Sequence, residues 1–155
     1  MSDIVESSDS AVDSEKFMIF SVLGKLYSFP SRLIGEIALF DTVYPLPLMP
    51  SYVLGVVNRY SVPYALFDIG LLLHDKHCPR NKVIVFKDKI DHIAFLIDDV
   101  ISIEDIQPEN MLIPENNSDS VDLPDVISSS FNWNNNLVSV LDYNHIINRQ
   151  KEFLK

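Results

Sequence analysis

From Phe17 onward the chain alternates short apolar runs with polar breaks, at the roughly 8–12-residue spacing of many short strands. Residues 17–24 (FMIFSVLG) and 26–30 (LYSFP), parted at Gly24 and Lys25, predict a first hairpin. Residues 33–40 (LIGEIALF) are apolar apart from one carboxylate, Glu36. Burying that carboxylate unpaired is costly, so it faces water at a strand edge or has a partner. Pro45, Pro47 and Pro50 make residues 42–52 an extended connector, because proline lacks a donor and fixes φ.

The stretch SYVLGVVNRYSVPYALFD, residues 51–68, reads as strand, sharp turn and strand. Apolar residues 52–57 lead to a polar break at 58–61 (NRYS), and a second run at 62–67 ends on Asp68. A helical turn is expected at 69–73 and a solvated polar loop at 74–82 (HDKHCPRNK). Strands follow at 83–86, 93–97 and 100–106, the first two joined by a charged tip, KDKID. Residues 114–125 predict a mobile loop. Two more runs, 126–133 and 137–142, flank Asn134, Asn135 and Asn136, and Asp142 is placed to cap a closing helix with Ile146, Ile147, Phe153 and Leu154 toward the body. The pattern predicts an all-β barrel or sandwich with a short C-terminal helix.

Residues 1–15 break this pattern. Asp3, Glu6, Asp9, Asp13 and Glu15 stand among serines with few apolar groups, which predicts a disordered acidic tail before a single domain at 16–155. Neither a secretion signal nor a run of the roughly 18 apolar residues needed to cross a bilayer is legible. With a single cysteine, Cys78, no intrachain disulfide forms, and a cytoplasmic protein is expected. The formal net charge is −10, a field that repels phosphate backbones and anionic lipid, so a protein or small-molecule partner is favoured over nucleic acid or membrane.

Four sets of residues invite a chemical reading. Leu66-Phe67-Asp68-Ile69-Gly70 echoes the active-site turn of dimeric aspartic proteases, but Ile69 stands where a hydroxyl residue orients the carboxylate; a strand-ending, turn-capping Asp68 is the plainer reading. His74, His77 and Cys78, with His92 and His145 elsewhere, lack the ligand spacing of a zinc site. Cys78 with His92, or a serine with His145, lacks a nucleophile turn, and four glycines in all argue against a phosphate cradle. No metal or cofactor is expected. The fourth set, Ile34, Glu36, Ile37, Tyr52, Tyr60 and Tyr64, is an apolar and aromatic surface suited to protein recognition.

The order FMIFSVLGKLY, IGEIALFD, the proline connector, GVVNRYSVPYALFD, IAFLIDDVISI and LVSVLDYNHII resembles the CheW-like domain of bacterial chemotaxis. The likeness runs over residues 17–73, 83–111 and 126–147, and is carried by the spacing of Tyr27, Glu36, Gly55, Asn58, Asp68 and Asp98. It implies two intertwined five-stranded SH3-like barrels sharing a hydrophobic core. It also implies a non-catalytic adaptor that joins chemoreceptor cytoplasmic tips to the regulatory domain of the histidine kinase CheA, as a cytoplasmic protein recruited to receptor arrays. The implied receptor-binding positions are Ile34, Glu36, Ile37, Gly55, Asn58, Tyr60 and Val83.

Two departures stand out. Where the family has Asn-Leu-Arg-Gly, with the arginine pairing the carboxylate at the position of Glu36, this chain has Asn58-Arg59-Tyr60-Ser61. Strand alternation turns Arg59 to the opposite face, and only a break of the period at the tight turn would return it to Glu36. Ser129 and Phe131 also replace the family's late glycine pair, adding bulk and removing freedom. A divergent coupler, or a CheW-like module that competes with another coupler, fits these departures; an aspartic-type hydrolase through Asp68 is the distant alternative.

Overall fold

A computed structural model of the chain describes residues 14–40, 42–79, 81–87, 90–113 and 126–153, with side chains of the last helix through Asn148. Residues 1–13 of the expected tail, residues 114–125, and the side chains of Phe153 and Leu154 lie outside the described residues, while Glu15, expected in the tail, opens the first strand.

The strands are β1 (Glu15–Val22), β2 (Lys25–Pro30), β3 (Ile34–Leu39), β4 (Val53–Arg59), β5 (Val62–Asp68), β6 (Lys82–Phe86), β7 (Ile93–Ile97), β8 (Asp99–Ile106), β9 (Ile127–Trp133) and β10 (Asn136–Leu141); the helices are α1 (Ile69–His74) and α2 (Tyr143–Phe153). They build two five-stranded sheets, ordered β8-β1-β2-β10-β9 and β3-β6-β7-β5-β4. The chain leaves the first sheet after β2, lays down the whole second sheet, and returns as β8. Each sheet holds one parallel pair, β2 with β10 and β5 with β7.

Neither sheet is closed by a full ladder among the described residues, but each curls until one bridge spans its edges. Tyr44, beyond β3, bridges Val56 of β4, and Leu112, beyond β8, bridges Ser130 of β9. The result is two SH3-like halves with all-β character.

Alternation now has a clear meaning. One face of the second sheet (Ile84, Phe86, Ile93, Phe95, Ile97) packs on Met18, Phe20 and Phe29 of the first sheet and on Ile146 of α2. Its other face (Val57, Tyr64, Val83, Val85, Ala94, Leu96) fills its own interior. Phe17, Ile19, Phe131, Val138 and Val140 fill the first sheet's interior. β6 and β7 are therefore buried on both faces, which explains their unbroken apolar runs. Phe29 locks the halves together, its ring 4.9 Å from Phe95 and 5.0 Å, edge-on, from Phe86. Phe131, one of the residues replacing the family's glycines, uses its bulk in the first core, 5.6 Å from Phe17.

Two expectations are corrected. The central hairpin turns on two residues, Tyr60 and Ser61, and not on four: both have positive φ, 51° and 66°, and Asn58 and Arg59 remain in β4 opposite Pro63 and Val62. This is a two-residue turn of primed type, whose twist matches the strands. The loop 74–82 is not simply solvated. Cys78 is fully buried, because its N–H is drawn to the Asp68 carboxylate and its Sγ donates to Asp98 Oδ1 at 2.9 Å.

Candidate functional site

β3 and β4 are the two outer strands of the second sheet, far apart in its order, yet curling brings their ends together. Glu36 pairs across β3–β6 with Val85, whose side chain belongs to the sheet's interior. Arg59 lies two residues past Val57, which faces the same interior. Because β4 continues through Arg59, its guanidinium points to the mouth where Glu36 lies. Arg59 Nε and Nη2 both donate to the Glu36 carboxylate in a two-pronged pair. The sequence-based expectation that Arg59 faces away from Glu36 is thus corrected: the turn begins at Tyr60, two residues after the start of the polar break at Asn58. The bond to Glu36 holds the Arg59 guanidinium above its ordinary pKa.

Tyr60 completes the group. Arg59 Nη2 donates to Tyr60 Oη at 3.0 Å, and the guanidinium carbon sits 4.3 Å from the Tyr60 ring centroid. Tyr60 is 80% exposed. Its left-handed backbone costs about 1–2 kcal/mol in a residue with a Cβ. The three side chains line a cleft of about 400 Å³, walled by Tyr64 and Phe86 and bordered by Gly35 and Lys87.

The structure sorts the expected receptor-binding residues. Glu36 and Tyr60 meet in the cleft. Ile37 is 38% exposed, Asn58 is exposed, and Ile34 is half-buried against the inter-sheet core. Val83 is 1% exposed and Gly55 is buried, so neither presents a side chain to a partner. Of the aromatic set, Tyr64 is buried and not on the surface as expected, while Tyr52 is half-buried, stacked over Phe67 at 6.1 Å. Lys87 is the lining residue that sequence reasoning passed over, and Arg59 is the one that it turned away from the site. A bulge between Ile34 and Glu36, at Gly35, shifts the β3 register there and opens this border of the cleft.

The other candidate chemistry resolves into architecture. Asp68 is fully buried and caps α1, accepting from Leu71 N at 3.2 Å, from Cys78 N at 3.2 Å, and from the His77 ring at 2.5 Å. Asp98 accepts from Leu23 N at 2.7 Å as well as from Cys78, tying the loop to the β1–β2 turn. Tyr27 Oη lies 2.6 Å from His74 Nε2. Burial pushes the Tyr27 phenol up to about 12, and burial with nearby Lys25 lowers His74. Asp142 caps α2 through the N–H groups of Asn144 and His145.

Set beside known proteins, the sequence matches the CheW-like domain profile over residues 16–151. Among solved structures, the scaffolding protein TtCheW from Thermoanaerobacter tengcongensis superposes with a TM-score of 0.74 at 12% identity, over 83% of this chain and 89% of that one. A comparison with curated protein sequences finds no match. No helix among the described residues is long and apolar enough to cross a membrane.

Proposed function

The chain belongs to the CheW-like domain family of chemotaxis scaffold proteins, and from that membership we propose that it couples chemoreceptor cytoplasmic tips to the regulatory domain of the histidine kinase CheA. The Glu36–Arg59 pair at the mouth of the second sheet carries this reading. It rebuilds, from a neighbouring position, the carboxylate–arginine pair that the family resemblance implies, and Ile37, Asn58 and Tyr60 surround it on accessible backbone. The protein acts by binding, so a signal passes only as a difference in affinity between receptor states. It works in the cytoplasm and is recruited to membrane-bound receptor arrays.

Glu36→Ala tests the site. Glu36 is partly exposed at a strand edge, so the domain stays folded by circular dichroism while receptor-tip binding weakens about tenfold. Unchanged binding overturns the assignment. One observation favours a second reading: a strained, exposed Tyr60 stands where the family carries arginine. A module that binds the kinase but not the receptor would compete with another coupler, and kinase binding alone in a two-partner assay would favour it.

A further inference from the structure

The cleft has a charge unlike that of the molecule around it. The chain carries a formal net charge of −10, yet the cleft's lining holds two cations, Arg59 and Lys87, against one carboxylate, Glu36. Arg59 is already committed to Glu36 and Tyr60. In the last of these bonds the guanidinium donates and the phenol oxygen accepts, which leaves the phenol's own proton to donate outward. Lys87 is exposed beyond the end of β6 and has no carboxylate partner among the described residues.

We propose that this cleft recognises a carboxylate side chain on the protein element that docks there. Lys87 supplies the charge, and the Tyr60 hydroxyl supplies a directed hydrogen bond. Arg59 is the positioning residue, holding Tyr60 by stacking and by its Nη2 bond. The excess of one positive charge fits a single carboxylate, whereas a polyanion would meet the repulsion of the whole chain. This rests on the adaptor reading and adds the chemistry that the receptor must present.

The test uses the full chain and a soluble cytoplasmic receptor fragment, with each carboxylate of the fragment's tip replaced by lysine in turn. K87E is expected to weaken binding more than about tenfold, and K87Q and Y60F about threefold each, with folding unchanged by circular dichroism. One of the lysine-bearing fragments restores binding to K87E, a rescue that a merely structural role for Lys87 does not produce. K87E binding like the wild type, or the absence of any rescuing fragment, overturns the carboxylate inference while the adaptor reading stands. A wild-type chain that does not bind the receptor fragment overturns both.

Discussion

Gly55 offers the sharpest stability test of how the site is shaped. A Cβ built there would lie 2.2 Å from Tyr44 O and 2.8 Å from Pro45 Cα, all against backbone that no rotamer change can clear. Gly55→Ala must therefore push the connector away from β4. That breaks the two Tyr44–Val56 hydrogen bonds, each 2.8 Å long and contributing about 0.5–1.5 kcal/mol. The φ of +145° adds backbone strain of about 1–3 kcal/mol for alanine. The total is about 2–6 kcal/mol, against a typical stability of about 5–15 kcal/mol. Gly24→Ala is the matched control: φ is +80°, but no heavy atom lies within 4 Å, so only strain of about 1–2 kcal/mol applies. Urea unfolding, followed by circular dichroism and by the fluorescence of the single tryptophan, Trp133, reads both. The Gly55→Ala midpoint should fall by about 1–3 M relative to the wild type. A loss within about 0.5 kcal/mol of that for Gly24→Ala refutes the steric argument.

Ser61 sits at φ +66° in the β4–β5 turn, so Ser61→Gly should raise stability by about 1 kcal/mol in the same urea experiment. Asp68→Asn turns an amide N–H₂ toward donors that now face a carboxylate; the loss is about 2–3 kcal/mol, visible as a melting point lower by about 5–10 °C. The pH profile should bend at both ends. His74 titrates lower in the folded than in the unfolded chain, so the unfolded state takes the extra proton first and stability declines as pH falls below the ordinary value of 6.5. Tyr27 runs the other way: stability is intact below pH 10.0 and is lost between there and about pH 12, as the unfolded phenol gives up its proton first. His74→Gln should flatten the acid limb; an unchanged limb assigns it to other groups.

Most of the strands were legible because each apolar run answers to a core on at least one face. β6 and β7 read as plain apolar blocks for the same reason that Val83 is no surface contact: both their faces are covered. The site was harder to read because its geometry comes from closure of the sheet. Glu36 and Arg59 are 23 residues apart, and nothing local in NRYS marks Tyr60 and Ser61 as the turn pair, since neither is the glycine or asparagine that positive φ usually selects. Counting from Tyr60, which fills the family's arginine position, turns Arg59 to the wrong face; β4 in fact runs on through Arg59, two residues past the inward-facing Val57, and this alternation restores the pair. The same limit hid Cys78. A run of charged and polar residues reads as solvated, and only the buried Asp68 carboxylate, ten residues away, explains why the loop folds inward.

The most direct test of the central claim is co-sedimentation of the purified chain with CheA and receptor-bearing membranes, with kinase activity measured in the pellet. The account predicts that all three assemble and that the receptor gains control of the kinase, with Glu36→Ala weakening both effects. Kinase binding without receptor capture, or capture that leaves the kinase unaffected, would contradict it.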